Sequence, residues 1–246
     1  MQPEQEQEII HLRTRKLTPK QIARKLGLKV SEVTAVVKAQ AEQATLMRIE
    51  KGELDPIAQC LVNTNCAKIL LESNAEERKK LEKEGAAGLG CVLVARTFRN
   101  RLKVCTYLVD YWCLGVKDAI EPRQLGAVKY ENFLKMVYAR FPDGYQDITL
   151  EQAQAIVLGA VDYAAKLGLQ PHADFEKARS HLGQWDDQLQ LEFGRDGKPF
   201  YISGPYDDPQ KIVSALRENV GEGNYDFIAG MEPTDKLSLP PGFWED

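Results

Sequence analysis

Between residues 4 and 38 the apolar positions fall at helical spacing in three groups. Ile9, Ile10 and Leu12 lie on a helix over residues 4–16. Ile22, Ala23 and Leu26 lie on a second, with Thr18 as its cap, Pro19 at its first position and Gln21 three residues after the cap. Leu28, Val33 and Val36 form the apolar face of a third. Ala23 is small where two helices cross closely. Gly27 can take the left-handed conformation that ends a helix sharply. Lys29 stands where a capping Ser or Thr is usual, so Ser31 is expected to open the third helix. Helix formers from Ala39 to Met47 continue it, and Gly52 ends it at the latest. Residues 51–56 read as a domain boundary.

Past that boundary the pattern mixes periods. Residues 57–62 suit either a strand or the start of a helix. Asn74, with Glu77, caps a charged helix that ends by Gly85. Residues 91–95 are apolar on both faces, as in a buried strand, and residues 102–112 return after a turn at 98–101, which predicts a hairpin. A helix over 130–141 stops at Pro142 and Gly144. A longer one over 150–167 is capped by Thr149 and Gln152. It carries Ala153, Ile156, Val157, Ala160, Val161 and Ala164 on one face, with Gly168 after it. Asp174 is expected to cap a short helix over 175–182. Residues 189–193 alternate, Asp196-Gly197 signals a tight turn, and residues 200–202 return as a second hairpin. Asp208-Pro209 opens a last helix with Ile212, Val213 and Leu216 inward. Residues 225–228 read as an edge strand, and Pro233, Pro240 and Pro241 mark an irregular tail.

The stretch from Leu17 to Lys38 resembles the DNA-binding helix-turn-helix, over about residues 5–42. The resemblance implies that the third helix enters the major groove by its N-terminal half. Its outward positions are Val30, Ser31, Thr34, Ala35 and Lys38. Ser31 and Thr34 can reach base edges, while Lys20, Arg24 and Lys38 can meet phosphates, and Lys29 is counted with them as a DNA-binding residue. No Arg, Asn or Gln stands among those outward positions to read a base bidentately. The remainder, residues 57–228, resembles a group of bacterial proteins of unassigned function. The segments that carry the likeness are 91–96, 108–119, 167–175 and 193–205. They imply one domain and bring no activity with them. The fold class expected is α+β: a three-helix helix-turn-helix module over 1–50, then a mixed α+β domain over 57–230. That domain is expected to have two β-hairpins and long amphipathic helices, and residues 231–246 to form an irregular tail.

Charge sharpens this division. The 246 residues carry a net charge of −4, which excludes a chain that coats nucleic acid uniformly. Residues 10–41, however, hold eight basic residues against Glu32 alone, a net +7 that leaves −11 for the rest. A basic module on an acidic body suits a DNA-contacting head; a solvated helix face is the plainer account. Hydrophobic residues make up 43%, enough to bury a core, and no apolar run approaches the roughly 20 residues of a membrane span. The opening residues are polar and acidic, unlike a signal peptide, so a cytoplasmic location is expected. The five cysteines are odd in number and lack C-x-x-C spacing, which reads as reduced packing residues rather than disulfides or a zinc ribbon.

Candidate chemistry is sparse. His172, Asp174 and His181 form the one dense His/Asp cluster. A divalent metal held by Asp110, His172 and Asp174 would fit such donors, and Asp118 could join as a further carboxylate. Cys113, just past a strand and followed by Gly115, could act as a nucleophile with His172 as base. On that reading Asp110, Cys113, His172 and Asp174 line one catalytic cleft. The plainer account makes Asp174 a helix cap, His172 a loop residue, His181 a surface group and Cys113 packing. Gly88-Leu89-Gly90 and Gly221-Glu222-Gly223 lack the context of phosphate loops, and no organic cofactor is predicted. Three functions follow. The first is a DNA-binding protein, regulatory in kind, whose body senses, dimerises or recruits a partner. The second is a hydrolase or nuclease acting on nucleic acid, with the head as targeting device. The third is a protein-interaction adaptor.

Overall fold

The computed structural model describes residues 3–15, 17–37, 39–40, 54–83 and 88–228. The chain divides into two compact units, Met1–Leu54 and Asp55–Asp246, here called head and body. No helix among the described residues is long and apolar enough to cross a membrane.

The head contains α1 (Pro3–Thr14), α2 (Pro19–Leu26) and α3 (residues 30–37). Thr18 and Gln21 close a full capping box at the start of α2, where Thr18 N–H donates to Gln21 Oε1 at 2.9 Å. Gly27 has φ +66°, and among the described residues nothing stands within 4 Å of where a Cβ would be. The dihedral, not crowding, therefore selects glycine there. Leu28 N–H then donates to Ala23 O at 3.0 Å, the long bond of a Schellman ending. The third helix starts at residue 30, earlier than Ser31. Glu32 supplies the half of a capping box that needs no Ser or Thr, by accepting Lys29 N–H at 2.9 Å. Ile9, Leu12, Ile22, Ala23 and Val33 are buried together. The expected continuation of α3 is helical at 39–40; the rest of it, and the tail past 228, lie outside the described residues.

The body is α+β. Its main sheet is antiparallel, in the order β4-β3-β2-β1-β5. The strands are β1 (Ile57–Asn63), β2 (Leu89–Phe98), β3 (Arg101–Asp110), β4 (Gly115–Leu125) and β5 (Tyr145–Asp147). Between β1 and β2 run α4 (Thr64–Ala67), a π-helical stretch (Lys68–Glu72) and α5 (Ala75–Lys83). One sheet face packs on α7 (Leu150–Lys166) and α8 (Phe175–Arg179), around Val92, Val94, Tyr107, Trp112, Ile156, Val157 and Phe175. The other packs on α6 (Ala127–Tyr138), around Leu93, Val104, Phe133 and Leu134. Burying one such aliphatic or aromatic side chain is worth about 1.5–3 kcal/mol, and α7 buries Ile156, Val157 and Leu158 among its alanines. Gly115 starts β4 at φ +70°, where a Cβ would stand 2.8 Å from Ala160 O. Only glycine allows β4 that close to α7.

Among the described residues two hairpins are present, β2–β3 and β3–β4. The second is not where Asp196-Gly197 placed it. That turn forms, with both residues at positive φ, but it closes only the bridge Arg195–Lys198. Residues 189–193 form no strand. Arg78 donates to Glu192 O at 2.8 Å and to Gly194 O at 2.9 Å, so a side chain takes carbonyls that a strand would have used. Phe193 stacks on Tyr163 of α7. β6 (Phe200–Ile202) instead pairs in parallel with β7 (Asp226–Ile228), joined through α9 (Pro209–Val220). Two smaller differences concern helices. α6 begins three residues earlier than expected, after Gly126. α8 stops at Arg179, and Asp174 makes no side-chain cap to it.

Candidate functional site

On the head, Lys20 and Arg24 stand one turn apart on α2, so they share a face, and both are exposed. Lys29, at the mouth of α3, is exposed, as are Ser31 and Thr34. The Thr34 hydroxyl donates to Val30 O at 2.7 Å. It therefore offers an incoming group only its lone pairs. Val30, one turn before Thr34, is 47% exposed and adds an apolar contact to this surface. The side chain of Lys38 lies outside the described residues. Among the described residues, this expected set thus presents three cations and two hydroxyls.

In the body the four proposed cleft residues separate into two environments. Asp110 ends β3 and is 6% exposed. Its Oδ1 accepts the N–H groups of Trp112 and Cys113, each at 3.0 Å. Burial pushes its carboxyl up to about 6, against the opposing pull of Lys117 and of the turn amides. Cys113 is buried with Leu167, Tyr201, Leu216 and Tyr225. Burial, and then the charge of Asp110, pushes its thiol up, so it holds its proton and supplies no thiolate to attack a substrate. The nearby Lys117 pairs with Asp207 at 3.0 Å, and the same Asp207 oxygen accepts the Gly204 N–H at 2.8 Å. These groups answer one another.

His172 and Asp174 do meet, at 3.6 Å between Nδ1 and Oδ2. The carboxylate that joins them is Asp118, not Asp110. Ligand atoms of Asp118, His172 and Asp174 all lie within 4.8 Å of one another. The convergence has a backbone cause: His172 N–H donates to Val116 O at 2.9 Å, which docks the α7–α8 loop on β4 two residues before Asp118. One divalent ion, at about 2.0–2.6 Å from each donor, fits that spacing. Lys177 competes for it, with Nζ 3.3 Å from Asp174 Oδ1, and His172 and Asp174 are each about half exposed. His181 takes no part. It is buried, with Nε2 3.2 Å from Val94 O, and burial together with the charge of Arg96 pushes its pKa down to about 4. This corrects both its membership of the cluster and its placement on the surface. The sequence gives Asp118 little prominence because its pattern does not show β4.

A scan against protein-family models, a search of the curated proteins and a search of the solved structures each find no match to this chain.

Proposed function

We propose that the chain binds duplex DNA through residues 17–38, with α3 toward the major groove and α2 along the phosphates. It holds the backbone more than it reads the bases. The observation that supports this is the exposed set Lys20, Arg24, Lys29, Ser31 and Thr34, carried on two helices joined at a left-handed Gly27. Cations of this kind position a protein on DNA without reading sequence. The outward positions of α3 lack the side chains that discriminate bases sharply. On this reading the acidic body senses, dimerises or recruits. The test is the salt dependence of binding by the full chain to a mixed-sequence duplex. Affinity should fall steeply with salt, and Lys20→Glu with Arg24→Glu should reduce the log–log slope by about 0.9 for every phosphate that the protein ceases to neutralise. A wild-type chain that ignores duplex DNA at low salt, or a double variant with an unchanged slope, removes the proposal.

A second reading, a metal-dependent hydrolase acting on nucleic acid, has the Asp118–His172–Asp174 donors in its favour. It requires that a divalent ion raise the melting temperature of the wild type and not of His172→Ala, and that cleavage follow the ion.

A further inference from the structure

The β2–β3 hairpin ends on a two-residue turn, Arg99 and Asn100, with Phe98 and Arg101 paired beneath it. Arg99 has φ +55°. Glycine enters that left-handed region freely, whereas an arginine does so at a cost. Arg99 is exposed, and the contact it makes is a cation–π one, its guanidinium 5.3 Å from the centroid of the Phe98 ring. The charge along this stretch of the sequence has one sign. Residues 85–109 contain Arg96, Arg99, Arg101 and Lys103 and no acidic residue, although acidic residues outnumber basic ones over the body as a whole. Arg96 and Lys103 stand directly opposite each other across the hairpin, an arrangement of like charges that disfavours pairing. Arg96 is buried on backbone carbonyls of Asp55, His181 and Leu182, while Arg101 is exposed and Lys103 half-buried. At the tip itself the left-handed Arg99 therefore stands beside Arg101, and both are exposed. Strain held at one spot in this way is a mark of functional sites.

We infer that this hairpin tip is a second phosphate-binding contact, through which the body holds the backbone of the same duplex DNA. The inference rests on the DNA-binding reading of the head. Arg99 and Arg101 are its anchors: a guanidinium offers a fork of donors that matches two phosphate oxygens.

The experiment compares the full-length wild type with Arg99→Gly, Arg101→Gln and the Lys20→Glu/Arg24→Glu head variant. Binding to a mixed-sequence duplex is followed by fluorescence anisotropy over a salt series, beside thermal melting. Each tip variant should lower the log–log salt slope by about 0.9. Arg99→Gly should at the same time raise the melting temperature, because glycine suits the left-handed turn. If the wild type and the head variant behave as proposed but both tip variants keep the wild-type slope, the inference falls and the head reading stands. If the wild type does not bind duplex at all, both fall. A shallower slope accompanied by a lower melting temperature in both tip variants also overturns the inference, since damage to the fold would then account for it.

Discussion

Asp110→Asn should stabilise the body near neutral pH. The Asp110 carboxyl titrates near 6 in the fold, against about 3.9 in an open chain, and each pH unit of difference is worth about 1.4 kcal/mol. Burial of the ionised form therefore costs up to about 3 kcal/mol. Between about pH 4 and 6 the folded chain holds a proton at Asp110 that the unfolded chain has released. Stability from this group thus falls as pH rises through that window, and the cost is fully present above it. An asparagine keeps the acceptor for the Trp112 and Cys113 amides and carries no charge. Its gain should approach 3 kcal/mol at about pH 7.5 and vanish toward about pH 4. His181 supplies an internal contrast. Its pKa, near 4 in the fold and about 6.5 in an open chain, has the opposite sign: the unfolded chain takes up a proton that the fold refuses, so stability is lost as pH falls from about 6.5 to 4. In the wild type these two slopes oppose each other. In Asp110→Asn the His181 slope stands alone, and acid should destabilise the variant by roughly 3 kcal/mol across that window. Urea titrations at several pH values, read by tryptophan emission, report the body alone among the two units, because Trp112, Trp185 and Trp244 all follow residue 54. A variant less stable than wild type at about pH 7.5, with unchanged pH dependence, would refute the reasoning. It would mean that Lys117 and the turn amides outweigh burial.

Two further outcomes test packing. Ala23 is 3% exposed at the crossing of the head helices, so Ala23→Leu should overpack it and cost roughly 1–3 kcal/mol; a circular-dichroism melt of the head transition identical to wild type would show that the helices do not meet there. Arg78→Met should cost about 3–5 kcal/mol in a urea titration, since it leaves buried Glu82 without its partner at 2.8 Å. Adding Glu82→Gln should recover part of that stability, and no recovery would mean that the bonds from Arg78 to Glu192 and Gly194 carry the effect.

Elements whose signals are local were legible in the sequence. The capping boxes at Thr18–Gln21 and Thr149–Gln152 form as their residue types require, and α7 buries the small and branched residues that its 3.6-residue spacing aligns. β4 was not legible, because the β3–β4 pairing shifts register twice, between Val104 and Thr106 and between Leu108 and Val109. Those shifts erase the period of two that a strand shows in sequence, and Pro122 reads as a breaker although an edge strand tolerates it. The second hairpin failed for a different reason. Arg78 lies 114 positions from the carbonyl of Glu192 that it takes, and no local pattern encodes a competitor that distant.

The same limits shaped the candidate site. Asp110 at the end of an apolar strand looked like a free carboxylate, yet the run from Asp110 to Gly115 is also a turn signal, with Asp in the position whose side chain accepts the amides two and three residues on. Read that way, the residue types already commit Asp110 to its own turn. Asp118 could not be promoted by a comparable reading, since its approach to His172 depends on the bond from His172 N–H to Val116 O and hence on β4. The head differs from both cases. Its exposed cations lie on two short helices whose caps, glycine ending and apolar face are all local, so the surface that carries the DNA-binding proposal could be assembled from adjacent residues alone. The hairpin tip lies between these extremes. Its charge run is plain in the sequence, but the left-handed Arg99 that sets it apart from a solvated charge run depends on the pairing of Phe98 with Arg101.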